Sequence, residues 1–480
     1  MFPAVTEQKG EVPLCVDLDG TLIKTDLVWE SLMRLLKKNP LFVLVVPIWL
    51  LRGRAYLKRQ ISQRVSVDAE SLPYNRAVLE FLRSQKAQGR SIYLVTASDL
   101  HLAQGVTEHL GFFTGVLGSD GKTNLRGKTK GCALAERFGA GGFDYAGNST
   151  VDFPVWEKAR QAIVVSSNSR LAAQAGERTK VAQVFESSPP ALRTIIRALR
   201  PHQWVKNLII FVPLLTSHKL LEFWGALSAM RAFVAFSLCA SAVYVLNDLL
   251  DVETDRQHGT KRLRPFASGD LALPLGLVMV PILLLGSAAV AWLLPWRFGV
   301  VLAGYFLLTT SYSWRLKQAA LVDVFCLAGL YTIRLIAGHE ATGVAYSFWL
   351  LVFSMFIFLS LALVKRFLEL DAARRHNHPE IKGRGYLPQD LELVATLGSG
   401  SGYLAVLVLA LYVNSQEVIK LYHHPMRLLL VCPLLLFWIS RMWMIAHRGQ
   451  MHEDPIVFAL KDPASYLIGA ATLGVLLMAT

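Results

Sequence analysis

A series of long apolar segments in the second half of the chain sets the main limit on how this protein can fold. Most of these segments are long enough to cross the hydrocarbon core of a bilayer as single helices. Because backbone polar groups inside lipid must be paired within their own helix, we predict an all-α, polytopic membrane domain. The nine predicted spans are 205–221, 225–247, 272–294, 297–314, 321–338, 346–364, 393–414, 426–444 and 463–480.

The composition agrees with a membrane domain joined to a soluble one. The chain has 480 residues, of which 53% are hydrophobic, and its mean hydropathy is +0.40. These values are too high for an ordinary soluble enzyme, and the length exceeds that of one typical domain. We predict an N-terminal α/β domain over 1–186, a linker and interfacial helix over 187–204, and the membrane domain over 205–480.

The net charge of +14 is distributed unevenly among the predicted loops. If the N-terminus lies in the cytoplasm, the loops after the second, fourth, sixth and eighth spans carry most of the basic residues, as the positive-inside rule requires. We therefore predict a multi-pass protein of a bacterial-type inner membrane, with a cytoplasmic N-terminal domain and its C-terminus on the opposite side. Contact of these loops with anionic lipid accounts for the charge, and no nucleic-acid partner is expected.

An ordered group of acidic residues follows the second predicted span. Asn247, Asp248, Asp251 and Asp255 recur at intervals that would place the aspartates on one face of a helix. Carboxylates at a bilayer boundary are costly and usually functional, and their oxygens suit Mg²⁺, which shares its remaining positions with substrate phosphates. Basic residues follow directly, so we predict a diphosphate site at the membrane surface. The alternative is a solvated loop between spans.

Four short polar motifs follow one another in the N-terminal part, and their residues are Asp17, Asp19, Thr96, Lys130 (or Lys128), Asn148 and Asp152. The first two motifs lie at the ends of predicted buried strands, where α/β folds bind their ligands. In order and in spacing the four resemble motifs I to IV of the haloacid-dehalogenase (HAD) superfamily. The resemblance covers roughly residues 10–185.

The HAD resemblance implies a Mg²⁺-dependent phosphatase with a Rossmann-type core. It makes Asp17 the nucleophile that forms an aspartyl-phosphate, and Asp19 the general acid and base. Thr96 and Lys130 would bind the phosphoryl group, and one Mg²⁺ would be held by Asp17 and the two residues of motif IV. Asn148 replaces the usual first acid of that motif, which removes one negative charge from the metal site. The alternative is a HAD scaffold without catalysis.

A helical insert over about 26–88 separates the first two motifs and resembles the cap of one HAD class. Within it, Leu41–Leu51 is strongly apolar but only about half as long as a membrane span. We predict that this segment forms the core of the cap. The alternative is an interfacial segment that docks the cap onto lipid.

The membrane half resembles the UbiA superfamily of intramembrane prenyltransferases over nearly all of residues 195–480. Its first signature is Asn247–Asp255, and its second region runs from Tyr312 to Asp323. The dense second aspartate motif of aromatic prenyltransferases is not evident, and Lys365–Glu369 occupies about that place. Within the superfamily the chain is most similar to decaprenyl-phosphate phosphoribosyltransferases, on the basis of 200–207, 261–265, Asp323, Arg334, 365–369 and 454–455.

This resemblance implies transfer of 5-phosphoribose from 5-phosphoribosyl pyrophosphate (PRPP) to a polyprenyl phosphate of the decaprenyl type. One or two Mg²⁺ ions would bind the diphosphate through Asn247, Asp248, Asp251 and Asp255, with Asp248 and Asp251 as catalytic residues. Fixed cations would hold the 5-phosphate, and a carboxylate would stabilise the ribosyl cation. The candidate substrate-binding residues are Lys206, Asn207, Lys261, Arg264, Tyr312, Lys317, Asp323, Arg334, Lys365, Arg366 and Glu369.

The fusion of the two halves predicts that they act in sequence. The transferase product would carry a phosphomonoester at the membrane surface, and we predict that the HAD domain removes this 5-phosphate. Two alternatives remain open: a UbiA-type prenyltransferase that uses a prenyl diphosphate and an aromatic or other small acceptor, and a lipid-binding scaffold with a degenerate HAD module. The sequence also allows a homo-oligomer.

Overall fold

The computed structural model describes residues 12–186, 192–375, 384–415, 418, 421–451 and 454–480. Its contacts divide the chain into two compact units, one of Met1–Leu199 with Tyr244–Val280 and one of Arg200–Val243 with Pro281–Thr480. The segment that contains the aspartates therefore packs with the N-terminal domain. Residues 187–191 of the predicted linker lie outside the described residues.

The first unit is built on a six-stranded parallel sheet with the strand order β3-β2-β1-β4-β5-β6. This confirms the predicted α/β domain. Because β1, β2 and β4 are neighbours, the motifs at their carboxyl ends meet at one edge of the sheet. The strands are β1 (Leu14–Val16), β2 (Ile92–Asp99), β3 (Gly115–Ser119), β4 (Asp144–Gly147), β5 (Gln161–Val165) and β6 (Lys180–Phe185).

Helices cover the sheet and form the predicted insert between β1 and β2. The first four helices belong to this cap, and α1 begins after Asp26, whose side chain accepts hydrogen bonds from two backbone N–H groups of its first turn. The helices of the N-terminal domain are α1 (Leu27–Lys38), α2 (Phe42–Leu51), α3 (Arg54–Ser62), α4 (Arg76–Ala87), α5 (Leu100–Leu110), α6 (Lys128–Phe138), α7 (Phe153–Trp156), α8 (Ser169–Gly176) and α9 (Leu192–Leu199).

Helix α2 does not form the core of the cap, so that prediction is wrong. The side chains of Leu44 and Leu51 are 69% and 89% exposed, and Trp49 is the single residue of the helix that is buried. The helix is apolar on all sides. Hydrophobicity alone therefore could not distinguish a helix that is buried in protein from one that presents its surface outward.

The remaining helices are mostly long and apolar. Among the described residues, six helices could cross a membrane by length and composition, so the chain is a multi-pass membrane protein. The helices are α10 (Val212–Thr216), α11 (Phe223–Leu250), α12 (Val252–Arg256), α13 (Leu273–Ala291), α14 (Trp296–Trp314), α15 (Val322–Thr342), α16 (Phe348–Arg375), α17 (Leu391–Val413), α18 (Val431–His447), α19 (Pro455–Ala459) and α20 (Pro463–Ala479).

The prediction of nine spans is not confirmed. The region 205–221 contains 3-10 turns over Pro201–Phe211 followed by α10, which has only 5 residues. Helix α14 is not among the six candidates, and α20 is a shorter apolar helix of 17 residues. Hydropathy marked these three segments as apolar, but it does not decide whether an apolar segment forms one long α-helix, which 205–221 does not.

Candidate functional site

The HAD-like motifs converge around Asp17, at the end of β1. Lys130 Nζ lies 2.7 Å from Asp17 Oδ1 and 2.9 Å from the hydroxyl of Tyr145. Lys128, the other candidate for this position, is exposed. Burial raises the pKa of the Asp17 carboxyl to about 7. The positive charge of Lys130 acts to lower this pKa, and the carboxylates of Asp152 and Asp19 act to raise it. The structure therefore brings together the predicted nucleophile and a buried cation.

The carboxylate of Asp19 faces the end of β2 and the start of α1. Its Oδ2 accepts hydrogen bonds from the hydroxyls of Thr96 at 3.1 Å and Ser98 at 2.7 Å, and its Oδ1 accepts one from the N–H of Leu27 at 2.8 Å. Thr96 was predicted to bind a phosphoryl group, and here its hydroxyl is held by Asp19. These contacts join the first motif, the second motif and the start of α1, the first helix of the cap.

The two motif IV residues differ in their availability for a ligand. Asp152 Oδ2 accepts hydrogen bonds from the N–H groups of Asn148 and Ser149, and its Oδ1 accepts one from Tyr145. Asp152 therefore supports the loop rather than pointing an unoccupied oxygen at Asp17. The side chain of Asn148 lies against Gly20, where an added Cβ would lie 2.1 Å from Asn148 Nδ2. A glycine with a φ of +74° is needed there for the approach of Asn148.

Lys58 is a residue of this site that the sequence analysis did not single out. It extends from α3 of the cap to the carbonyl of Ala97 at 2.5 Å and to Asn124 Oδ1 at 3.1 Å. Burial lowers the pKa of the Lys58 ammonium, while the carboxylates of Asp19 and Asp26 oppose this effect. The sequence contains several basic residues after α2, but only the fold shows which of them points into this site.

The sequence analysis placed the aspartates on one face of a helix, but in the structure this helix is interrupted. Helix α11 ends at Leu250, and Asp251 has a φ of −102° and a ψ of 9° before α12 begins. Asp248 Oδ1 and Asp255 Oδ2 converge on one nitrogen of Arg264, at 3.1 and 2.6 Å. Burial raises the pKa of the Asp255 carboxyl, against the opposing charge of Arg264. The break directs Asp251 elsewhere and leaves Asp248 and Asp255 as the convergent pair.

Asp251 and its neighbours contact α1 of the cap. Lys37 Nζ lies 2.8 Å from Asp251 Oδ1, and Arg34 lies 2.9 Å from Glu253. A third pair, Arg256 with Glu30 at 2.6 Å, is almost completely buried. These three ion pairs connect the HAD-like cap to the aspartate segment, which was predicted to belong to a different domain. Most of their side chains also line an open depression between α1 and the end of α11.

The second unit contains a small basic cluster built around Asp454. Its carboxylate Oδ2 lies 3.0 Å from Lys206 Nζ and 3.6 Å from Lys365 Nζ. Although burial acts in the opposite direction, the charges of Lys206 and Lys365 hold the pKa of the Asp454 carboxyl below its ordinary value. Two lysines that share one carboxylate retain a net positive charge, which suits a phosphate.

Arg334 is buried within α15, and its hydrogen bonds go to partners other than Asp323. Its Nε donates to Asn207 Oδ1 at 2.8 Å, and one terminal nitrogen donates to the hydroxyl of Tyr305 at 3.2 Å. Asn207 in turn donates to Ser237 at 3.0 Å. The guanidinium also lies over the rings of Tyr305 and Tyr331, 5.0 and 5.6 Å from their centroids. Since its partners among the described residues are neutral oxygens and aromatic rings, this position is a candidate for attracting an anion.

Asp323 belongs to a separate buried network. Arg366 lies 2.5 Å from Asp323 Oδ2 and also pairs with Glu369, and neither Asp323 nor Arg366 has any exposed side-chain surface. The hydroxyl of Tyr386 donates to Asp323 at 2.6 Å. Arg366 was predicted to bind the 5-phosphate and Asp323 to stabilise the ribosyl cation. In the structure the two side chains instead face each other as a buried ion pair.

This network gives a prediction about stability. Asp323→Leu removes the fully buried partner of the Arg366 guanidinium and leaves it with the more exposed Glu369, which should lower the free energy of unfolding by about 3–5 kcal/mol. The double variant Asp323→Leu with Arg366→Met should recover most of that loss. Thermal unfolding of the full chain in detergent measures both. An unchanged unfolding temperature for the single variant, together with lost activity, would instead assign Asp323 to the substrate.

The remaining predicted residues are spread over both units. Lys261 is exposed in a 3-10 turn after α12, and Lys317 is half-buried in the turn after α14. The hydroxyl of Tyr312 accepts a hydrogen bond from Arg384 at 2.9 Å. The backbone carbonyl of Asn247 accepts the N–H of Asp251 at 2.9 Å, which closes the last turn of α11.

Comparison with known proteins identifies the family. The model of the UbiA prenyltransferase family matches residues 209–461. The chain belongs to this family. An uncharacterized protein of Sinorhizobium fredii is 38% identical over 98% of this chain and 91% of its own length. That match includes both the N-terminal domain and the UbiA-family part, so the two parts also occur together in that relative.

Other similarities cover one part of the chain each. Decaprenyl-phosphate phosphoribosyltransferase of Mycobacterium tuberculosis is 39% identical over 39% of this chain and 65% of its own length. A UbiA homolog from Archaeoglobus fulgidus, solved with DMAPP and Mg²⁺, is 15% identical with a TM-score of 0.45, covering 59% of this chain and 98% of its own. Phosphoserine phosphatase is 16% identical with a TM-score of 0.27, covering 39% of this chain and 98% of its own.

Proposed function

We propose that this chain transfers 5-phosphoribose from PRPP to a polyprenyl phosphate. The observation that carries the proposal is the pair Asp248 and Asp255, two buried carboxylates that share one cation at the end of a candidate membrane helix. A transferase that releases pyrophosphate at a bilayer surface needs such a pair. The similarity of this chain to the mycobacterial phosphoribosyltransferase, at 39% identity, supports this choice of substrates.

The donor set around the aspartates fits a Mg²⁺ ion. Carboxylate oxygens are its preferred ligands, and two of them already lie within 3.1 Å of a single nitrogen of Arg264. Within the described part of the chain, no three His, Cys, Asp or Glu side chains form a metal site by themselves. The remaining positions would be filled by phosphate oxygens, as is usual for Mg²⁺. When bound, the ion would offset the negative charge of departing pyrophosphate.

The protein side chains would bind and orient the two substrates. Arg264 holds Asp248 and Asp255 in position, and the lysines of the Asp454 cluster offer a site for a phosphate. The acceptor is a lipid phosphate that is already ionised at neutral pH. No strong general base is therefore required, and alignment of the acceptor with the ribosyl carbon supplies much of the acceleration.

Replacement of the lysines in the Asp454 cluster should affect the binding of PRPP. Lys206→Met or Lys365→Met should each raise KM for PRPP by roughly 10- to 100-fold, because a charge-assisted contact to phosphate is lost. The effect on kcat should be smaller. Lys219→Met, at an exposed position, is the matched control and should leave KM unchanged. An unchanged KM in both cluster variants would place the phosphate elsewhere.

One assay separates the proposed reaction from its alternatives. Purified full-length protein is incubated with labelled PRPP and polyprenyl phosphate in the presence of Mg²⁺. Release of pyrophosphate that depends on the lipid supports the proposal. Turnover with a prenyl diphosphate and an aromatic acceptor, but not with PRPP, would favour a prenyltransferase. Absence of turnover with either pair would favour a lipid-binding scaffold.

We also propose that the HAD-like domain is a phosphatase that acts on the transferase product. The contact between Asp17 and Lys130, at 2.7 Å, favours this function, because the lysine compensates the charge of the nucleophile and of a phosphoryl group. Asp17 and Asn148 would provide oxygen ligands of the kind that Mg²⁺ prefers, and the side chain of Asn148 lies against Gly20, which follows Asp17 in the first motif. Such an ion would neutralise phosphoryl oxygens.

The arrangement of the chain supports this order of reactions. The proposed product would carry a 5-phosphate monoester together with a diester that joins lipid and sugar, and aspartate chemistry of this kind acts on monoesters. We place the HAD-like domain on the cytoplasmic side, on the basis of the positive loops. The ion pairs between α1 and the aspartate segment keep the phosphatase close to the segment where the product would form.

A further inference from the structure

Helix α2 of the cap presents an apolar surface that no described residue of the first unit covers. Large side chains along this helix and just before it are 49–89% exposed, namely Leu41, Val43, Leu44, Ile48, Leu50 and Leu51. Leu44, Ile48 and Leu51 recur at intervals of four and three, so they share one face. Soluble proteins rarely expose so continuous an apolar patch unless it serves as an interaction surface.

The cap holds α2 by its opposite side. Trp49 is 8% exposed, its ring packs 5.6 Å from that of Phe42, and the guanidinium of Arg64 lies 4.8 Å above it. These contacts fix the orientation of the helix on the rest of the cap. The contacts of Trp49 therefore fix which face of α2 points outward.

The chain itself places the start of α2 at the level of the membrane surface. Helix α11 is a candidate span that ends at Leu250, and the next residue, Asp251, pairs with Lys37 near the end of α1. Only four residues separate Lys37 from Phe42, the first residue of α2. At about 3.3–3.6 Å per extended residue, α2 must begin within a short distance of the end of that span.

Basic residues flank the apolar surface at both ends. Lys38 precedes α2, and Arg52 and Arg54 follow it, all three exposed. A short apolar helix with a basic residue on either side is the pattern of a segment that lies in the membrane interface, with its apolar face in the acyl region and its charges among anionic headgroups. The length of α2, 10 residues, excludes a full span.

We propose that α2 docks the cap onto the bilayer, with Leu44, Ile48 and Leu51 inserted among the acyl chains. The partner is a lipid surface that contains anionic headgroups. The docking would hold the cap at the depth where the phosphate of a sugar lipid lies. This consequence for substrate access rests on the proposed phosphatase activity, whereas the docking itself rests only on the surface described above.

The insertion of α2 is tested in the full-length protein. Leu44→Cys is labelled with an environment-sensitive fluorophore, in a background where Cys132, Cys326 and Cys432 are replaced by alanine. The protein is reconstituted into vesicles of phosphatidylcholine and phosphatidylglycerol. We expect quenching by lipids that carry a doxyl group on the acyl chain. The matched control, Glu177→Cys at an exposed polar position, should be quenched only by aqueous iodide.

The outcome at position 44 decides the proposal. If the probe there behaves like the probe at position 177, α2 faces water and the docking is wrong. If neither lipid-borne nor aqueous quenchers reach it, the face is covered by protein, as in contact with a second copy, and the docking is equally wrong. Quenching by the doxyl lipids alone supports insertion, since the probe at position 44 must then lie among the acyl chains.

A second measurement tests the consequence for the phosphatase. Leu44→Asp with Leu51→Asp should slow hydrolysis of the lipid-borne phosphomonoester in vesicles by about tenfold or more, because two apolar groups no longer insert. Hydrolysis of soluble p-nitrophenyl phosphate should be unchanged. Val184→Asp, an exposed apolar position on β6, should change neither rate.

The two measurements fail in distinguishable ways. Equal lipid hydrolysis by the wild type and the double variant would show that docking does not serve the phosphatase. If the wild-type protein hydrolyses neither substrate, the proposed phosphatase activity is wrong, and fluorescence quenching at position 44 still decides whether α2 inserts.

Discussion

Replacement of Asp248 or Asp255 by asparagine should lower the rate of lipid transfer by at least about three orders of magnitude, because each removes one carboxylate of the convergent pair that would hold the metal. Asparagine preserves the shape of the side chain and can still accept a hydrogen bond from Arg264, so the fold should survive. The measurement is pyrophosphate release from PRPP in the presence of polyprenyl phosphate. The Mg²⁺ concentration for half-maximal rate should also rise.

Glu253→Gln provides the matched control for the aspartate variants. Glu253 lies on α12 within the same segment, but it is partly exposed and pairs with Arg34. A surface ion pair of this kind contributes little, so transfer should stay within a few-fold of wild type, of the order of 1 kcal/mol or less. Near-normal transfer in both Asp248→Asn and Asp255→Asn would show that this segment is a solvated connector.

Replacement of Asp17 by asparagine should make the 5-phosphorylated lipid accumulate while phosphoribosyl transfer continues. The amide cannot form an aspartyl-phosphate, so phosphatase turnover should fall by at least about three orders of magnitude. Lys130 would lose its partner 2.7 Å away but keep its hydrogen bond to Tyr145. Chromatography of the lipid products, with mass detection of the phosphate, measures the ratio of the two species.

The control for this variant is Asp120→Asn, which lies in an exposed loop of the same domain and caps the following turn. It should leave the lipid products as in wild type. The same lipid product from wild type and Asp17→Asn, whether phosphorylated or not, would contradict the coupling of the two activities. The transferase proposal would stand, because pyrophosphate release is measured independently.

Local patterns predicted much of the architecture. The strand ends that carry Asp17 and Thr96 could be recognised because a buried strand followed by a polar turn has a short, local signature. The helical cap and the apolar helices followed from periodicity and from length. The count of spans was less certain, since 205–221 is apolar enough for a span but is formed by 3-10 turns and a short α-helix.

The pairing of charged residues could not be predicted in the same way. Lys130 was preferred to Lys128, but only packing shows that Lys130 turns inward to Asp17. The sequence spacing of three and four suggested one face for the aspartates, yet the break at Asp251 turns that residue to Lys37. Lys37 lies 214 positions away along the chain. No local pattern contains information about a partner at that distance.

The sequence by itself determined the elements and their chemistry: a parallel α/β domain with HAD-like motifs, apolar helices, and acidic and basic segments at their ends. These follow from periodicity, length and residue type, which act over a few turns of the chain. Only the tertiary structure decided that Arg366 neutralises Asp323, that Asp248 and Asp255 form the convergent pair, and that α2 lies exposed. Those features depend on which surfaces meet after folding, and burial and ion pairing are properties of that packing.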